Sequence, residues 1–250
     1  VNAEQIVQRI DEQGYIVLQK GVGPELVAKY LELIQQVKPK GGWSHKADVL
    51  HLDPVAFTQV LLQKRLQKVI RGLCGDHARL DHHFLLSYPG GKLKPNVHGG
   101  PFSEHCAVHY HTQGGIKLTS NLKIGIALQR QGGPGVIPGT HKIDEAYPQE
   151  RRRRHFRELV VPGMKPGAIV IFTDALFHGT PDVDGFRQML YYTFTPGHVA
   201  WARYEPWPAE VMQKLPEEIR GYFRPPGLVQ WGKDDRWKLQ WAEPSIGAAK

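Results

Sequence analysis

"PGAIVIFTDALFHGTPDVDGFRQMLYYTF", residues 166–194, decides how the rest of the chain is read. Lys165-Pro166-Gly167 is a turn signal, and the apolar run Ala168-Ile169-Val170-Ile171-Phe172 behind it has the length and composition of a fully buried strand. A second run, Gln188 to Phe194, is another strand. Between them stand His178, just past the first strand, and Arg187, at the start of the second. A histidine and an arginine carried on adjacent strands of one barrel can face the same cavity.

Working outward, the chain from about residue 80 consists of short apolar stretches broken by Gly and Pro, the pattern of a β sandwich or barrel. Leu122, Ile124, Ile126 and Leu128 alternate with Lys123, Gly125 and Ala127, which is a strand period. Gly132-Gly133-Pro134-Gly135 lacks the Lys-Ser/Thr of a phosphate loop and reads as a tight turn between strands. Pro138-Gly139-Thr140-His141 should end a core strand, with His141 shaping a loop near the site. Upstream, Ile6, Val7 and Ile10 have helical spacing up to Gly14. Tyr15-Ile16-Val17-Leu18 is a short strand. Val27, Tyr30, Leu31 and Ile34 mark a second helix after Gly23-Pro24. A third helix is expected over 54–73, from Val60, Leu61, Leu66, Val69 and Ile70. The tail, rich in Trp and Pro, suggests a short helix over 208–223 followed by irregular chain. The expected organisation is one domain, 1–250: a helical part over 1–75, an all-β core over about 80–203 with helices packed outside it, and a tail over 204–250.

With 250 residues, 41% hydrophobic and 22% charged, the chain can bury a sizeable core. It contains no apolar run of about eighteen residues and no basic-then-apolar leader, so a cytoplasmic protein without a membrane segment is expected. Two cysteines, Cys74 and Cys106, make no framework, and any metal here must use His, Asp or Glu. The excess of 32 Lys and Arg over 24 Asp and Glu, a net charge of +8, favours an anionic substrate or cosubstrate by long-range attraction. No helix-turn-helix, RRM-like or zinc-finger pattern points to nucleic acid. Arg151-Arg152-Arg153-Arg154 reads as a solvated face, with a role in holding an anionic substrate as the alternative.

Thirteen histidines invite over-reading. His82, His83, His105, His109 and His111, taken singly, read as hydrogen-bonded or partly exposed residues. His98, in "NVHGGPF" (96–102), and His178 stand apart because of their setting.

These stretches together resemble the phytanoyl-CoA dioxygenase family. "PGAIVIFTDALFHGTPDVDGFRQMLYYTF" is similar to its C-terminal part, where a buried strand leads to the distal iron histidine, then a small hydroxylated residue, then an arginine. "GYIVLQKGVGPELVAKYLELI" (14–34) resembles its N-terminal segment, and "GGPGVIPGTHK" (132–142) its Gly-rich turn with Pro-Gly-Ser/Thr-His. "HGGPF" and "TPGHVAW" (195–201) resemble a bacterial branch of the family. The resemblance implies a double-stranded β-helix, with His98 and His178 as the imidazole ligands of Fe(II). It also implies an Arg187–Thr180 clamp for the far carboxylate of 2-oxoglutarate, and O2 as second cosubstrate. Guanidinium suits that planar anion better than an ammonium would.

One position departs from the family. The usual facial site has two histidines and one carboxylate, but His98 is followed at the ligand spacing by Gly100. Three readings follow. A carboxylate from elsewhere completes the site, with Asp174, Glu104 and Asp81 as candidates. Asp174 is nearest in sequence, yet four residues of extended chain span about 13 Å, so the chain would have to bend. Alternatively, chloride occupies the vacancy, as in iron halogenases with His-x-Gly. In the third reading the protein binds anions without oxidising anything. Retention of His178, Thr180 and Arg187 favours an active enzyme that hydroxylates a C–H bond of a small, preferably anionic molecule, with halogenation as the alternative. The substrate pocket is expected to draw on His109, His111 and Arg154 from the covering segments, and on His198 and Trp201 at the barrel mouth.

Overall fold

The computed structural model describes residues 1–37, 44–47, 49–88, 97–99, 110–113, 116–129, 131–143, 159–181, 185–199, 206–231 and 237–241. Helix α1 (Ala3–Gln13) opens with a reciprocal capping box between Asn2 and Gln5, and stops where Gly14 turns left-handed, at φ 83°. Strand β1 (Tyr15–Leu18) leads to α2 (Pro24–Ile34), which starts with Pro at its first position. Strand β2 (Ser44–Ala47) then precedes α3 (Pro54–Thr58) and α4 (Lys64–Cys74).

The single helix expected over 54–73 is in fact two. A 3-10 turn at Gln59–Leu62 ends the first, and Gln63 is extended (ψ 111°) before the second begins. The Gln63 amide donates to the distant carbonyl of Gly21, and that of Gln67 to the carbonyl of Leu61, so a side chain satisfies a carbonyl that the break exposes.

The sheets are built from β3 (Arg79–Tyr88), β4 (Val97–His98), β5 (Tyr110–Gln113), β6 (Ile116–Thr119), β7 (Leu122–Ala127), β8 (Gln131–Gly132), β9 (Gly135–Val136), β10 (Gly163–Met164), β11 (Ile169–Thr173), β12 (His178–Gly179) and β13 (Arg187–Thr195). Six strands make one antiparallel sheet in the order β1-β11-β7-β13-β3-β2, and β4-β12-β9 make a second. One face of the large sheet, with Leu85, Ile124, Ile126, Ile169, Ile171, Leu190 and Tyr192, packs against helix residues such as Ile6, Ile10, Leu66 and Ile70. The other face carries Phe84, Leu86, Ala127, Val170, Phe172, Met189 and Tyr191, and packs against Val136 and Leu176. Burial on both faces explains the unbroken apolar runs, each large side chain contributing about 1.5–3 kcal/mol. The result is a mixed α/β architecture with a sheet-rich core.

The expected helix over 208–223 is likewise divided, into α5 (Ala209–Lys214) and α6 (Glu217–Arg220), because Leu215 precedes Pro216 and is held extended at ψ 138°. The tail is not irregular throughout: β14 (Gly227–Trp231) pairs with β15 (Trp237–Trp241) as an antiparallel ribbon. No described helix is long and apolar enough to cross a membrane.

Candidate active site

A cavity of about 280 Å³ lies between the two sheets. Its chemistry-bearing walls are His98, Lys123, His178, Thr180 and Arg187; Phe84, Leu86, Phe172 and Tyr191 make its apolar lining, and Pro134 of the Gly-rich turn also borders it. Two larger surface clefts, of about 640 and 790 Å³, contain no histidine.

His98 and His178 are register partners across β4 and β12, and their ring centroids are 4.3 Å apart. Tight packing makes this approach possible: Gly99 has φ 87°, and a Cβ there would stand 2.6 Å from the carbonyl oxygen of Leu176 and 2.7 Å from that of Asp174. The loop from Asp174 to His178 bends immediately after β11. Leu176 N–H donates to the Thr173 carbonyl, Asp174 N–H to that of Asn121, and Phe177 N–H to Thr140 Oγ1.

That bend overcomes the 13 Å objection to Asp174. Its Oδ1 lies 3.4 Å from His178 Nε2 and 2.7 Å from Lys123 Nζ, with the carboxylate side chain 5% exposed. His178 Nδ1 is 2.7 Å from the carbonyl oxygen of Leu176, which can only accept, so Nδ1 carries the ring proton. Burial, then the neighbouring His98, push the His178 pKa down to about 3, and the ring is neutral. Its Nε2 therefore turns a lone pair toward a carboxylate oxygen. Burial works to raise the Asp174 carboxyl, but the Lys123 ammonium outweighs it and holds the group below its ordinary value.

Arg187 is 1% exposed, and its Nε and Nη1 have no hydrogen-bond partner among the described residues. Among the described residues its Nη2 reaches Met189 Sδ at 3.3 Å and Tyr191 Oη at 3.4 Å. A buried guanidinium so poorly satisfied is costly unless an anion completes it. Thr180 borders the same cavity.

Other expectations fail or fall elsewhere. Asp81 is no third ligand: it is a bulged residue of β3, bound to Arg79 at 2.6 Å and His82 at 2.8 Å, away from the cavity. His111, on the edge ribbon, and His198, in a turn, are exposed and do not border the cavity. His141 does not shape the site either. Its Nε2 is 3.0 Å from the Asp11 carbonyl and its ring packs on Tyr110; the neighbouring Thr140 supports the His178 loop instead. Gly100, Glu104, His109, Arg154 and Trp201 lie outside the described residues.

A model of the phytanoyl-CoA dioxygenase (PhyH) family matches residues 10–187, which span both histidines and the arginine. The chain belongs to this family. Phytanoyl-CoA dioxygenase-like proteins are Fe(II)- and 2-oxoglutarate-dependent oxygenases, and solved structures of the same fold agree. HygX from Streptomyces hygroscopicus, solved with nickel and 2-oxoglutarate bound, is 19% identical over 80% of this chain and 89% of its own, with TM-score 0.65. EctD from S. alaskensis, with bound Fe, is 20% identical over 79% and 77%, at 0.58. The epimerase SnoN, in complex with Fe3+, alpha ketoglutarate and nogalamycin RO, is 17% identical over 80% and 86%, at 0.58. A comparison with curated proteins gives no match.

Among the described residues, no three His, Cys, Asp or Glu side chains close into a finished metal cage. The donor set nonetheless fits iron and an organic dianion: two imidazoles in contact, a carboxylate facing one of them, and an unsatisfied guanidinium in the same cavity. Lys123 is the residue that sequence reasoning missed. Its alternation with Leu122 and Ile124 reads equally well as a solvent-facing position, and nothing local marks that face as the cavity wall.

Proposed function

We propose that this member of the phytanoyl-CoA dioxygenase family is an Fe(II)- and 2-oxoglutarate-dependent oxygenase that hydroxylates an unactivated C–H bond of a small molecule, preferably an anionic one. Arg187 carries the reading: it is a buried cation with two nitrogens unpartnered among the described residues, at the wall of a cavity that also holds His98 and His178. In this reading Arg187 takes the far carboxylate of 2-oxoglutarate in a bidentate pair and Thr180 donates to the same group. The two sheets then act as the faces of a double-stranded β-helix.

His98 and His178 would hold the iron, and Asp174 is the carboxylate we assign as third ligand in place of the one missing at Gly100. Two donor atoms about 2.1 Å from one metal and at right angles stand about 3 Å apart; His178 Nε2 and Asp174 Oδ1 are 3.4 Å apart. When bound there with 2-oxoglutarate and O2, iron supplies the oxidant for the C–H bond while the keto acid is converted to succinate and CO2. The Leu176 carbonyl fixes the His178 tautomer, leaving Nε2 to coordinate. Phe84, Phe172 and Tyr191 exclude water around the reacting carbon.

Purified protein supplied with Fe(II) and 2-oxoglutarate should form succinate with O2 consumption, and His178→Ala and Arg187→Ala should abolish it. Unchanged turnover and cosubstrate binding in both variants would sink the assignment of these residues, whereas no iron-dependent O2 consumption by the wild type would favour a non-catalytic anion-binding barrel. Halogenation is the competing outcome: a halogenase yields chlorinated product only with chloride and loses it on Gly100→Asp, whereas a hydroxylase is indifferent to chloride.

A further inference from the structure

Asp174 is gripped at two points, by the residue just before β7 and by one within it. Its backbone N–H donates to the carbonyl of Asn121, and its Oδ1 takes the ammonium of Lys123 two residues further along. Cross-strand register places Lys123 in a row with Phe172 on β11, Thr193 on β13 and His82 on β3, on the face of the sheet that meets the cavity. Its side chain is 17% exposed, and among the described residues its ammonium meets Asp174, with the Phe172 ring 6.0 Å away. The groups facing the carboxylate are therefore Lys123 from β7, His178 from β12 and His98 from β4.

The oxygen that Lys123 holds is the same one that faces His178 Nε2. Had the ammonium taken the other oxygen, it could brace a metal-bound carboxylate from outside. On this one it occupies the coordinating side, a few ångströms from where the metal belongs. Two cations so close repel strongly in a cavity with little water. Without Lys123, however, the metal-free site would bury a lone carboxylate. The contact is an ion pair at 2.7 Å whose angles fall short of a well-formed hydrogen bond.

We propose that Lys123 is a positioning residue that serves as a resident counter-ion: it holds the Asp174 carboxylate beside His178 until a divalent metal takes that oxygen and displaces the ammonium. This rests on the iron reading above, with Asp174 as ligand. Displacement moves the ammonium toward the Phe172 ring, a favourable neighbour for a cation. Lys123 thus acts on metal loading through Asp174 and has no contact with the reacting atoms.

The test is Co(II) affinity, measured by ligand-field absorption of the full chain, for wild type, Lys123→Met, Lys123→Gln, Lys123→Arg, Asp174→Asn and the Lys123→Met/Asp174→Asn double variant. Lys123→Met should bind Co(II) about tenfold more tightly or better, a small part of the ammonium–metal repulsion, and should gain more thermal stability from Co(II) than wild type does. Lys123→Gln, which keeps the carboxylate a donor and serves if the methionine variant does not fold, should also tighten. Lys123→Arg, a firmer carboxylate clamp, should weaken binding. In the Asp174→Asn background, residue 123 should have little effect. If Asp174→Asn weakens Co(II) but Lys123→Met and Lys123→Gln weaken it too or leave it unchanged, the counter-ion role is overturned and the ligand assignment survives. If Asp174→Asn itself leaves Co(II) affinity unchanged, the ligand assignment fails instead.

Discussion

A side chain on Gly99 would run into the backbone carbonyl of Leu176, at 2.6 Å, so the strand bearing His98 can lie against the loop bearing His178 only because residue 99 is glycine. The first glycine of "HGG" is thus a packing requirement, separate from the missing carboxylate at the second. Gly139 is the natural control, since its φ of 81° is as left-handed but nothing lies within 4 Å of its missing Cβ. Gly139→Ala should cost about 1–2 kcal/mol from backbone strain alone. Gly99→Ala should cost more in urea unfolding and should also weaken Co(II) binding; equal costs with intact metal binding would contradict the packing argument.

Arg187→Met should separate function from stability. Removing one partner of a buried charge pair costs about 2–5 kcal/mol of binding, so the KM for 2-oxoglutarate should rise roughly 30-fold or more. The cosubstrate-free protein should melt no lower than wild type, and the packed methionine should raise its Tm, because an unsatisfied guanidinium has gone. Arg187→Lys should restore little, for an ammonium lacks the bidentate fork.

Thr140 supports the site without touching the cavity. Its Oγ1 accepts from Phe177 N–H at 3.0 Å and donates to the Ile137 carbonyl at 2.7 Å, joining the Pro-Gly-Thr-His turn to the His178 loop. Thr140→Val keeps the volume and loses both bonds. The expected cost is about 1–3 kcal/mol of stability, with slower succinate formation that a rise in Fe(II) concentration partly restores.

Acid should destabilise the metal-free protein through histidines outside the site. Burial, with a smaller contribution from His82, lowers the His83 pKa to about 3, and burial lowers that of His141 to about 4. Both are held neutral in the folded chain and gain protons near pH 6.5 when it unfolds. Their contribution is therefore full above about pH 6.5 and is lost as pH falls toward 3–4. His83, at 0% exposed with neither ring nitrogen partnered among the described residues, should add a slope of up to about 1.4 kcal/mol per pH unit in that window. His83→Leu should flatten the dependence of the urea midpoint on pH; an unchanged curve would refute it.

Much of the fold was legible because burial writes itself into local pattern. Helical spacing at Ile6 and Ile10, the glycine stop at Gly14, and the runs at Ile169–Thr173 and Arg187–Thr195 all appear as elements with the expected character. The breaks at Gln63 and Leu215 were harder to see. The first depends on a distant carbonyl, that of Gly21, which accepts from the Gln63 side chain, and the second on giving Pro216 more weight than the surrounding helical spacing.

The residues by themselves placed His98, His178, Thr180 and Arg187 in a pattern that resembles one family, with Gly100 standing where that pattern carries an acid. Only the tertiary structure decided where the negative charge near the histidines comes from. A strand period says which residues share a face; it does not say whether that face meets solvent, a helix or a cavity. Lys123, Gly125 and Ala127 could have pointed to water. Likewise, four residues between Asp174 and His178 set a maximum reach, and the tight turn after Thr173 set the actual one, 3.4 Å between the two side chains. Asp81 and Asp174 are equally acidic on paper. A bulge gives the first to Arg79, and a bend brings the second to His178, because pairing between distant strands fixes where each carboxylate ends.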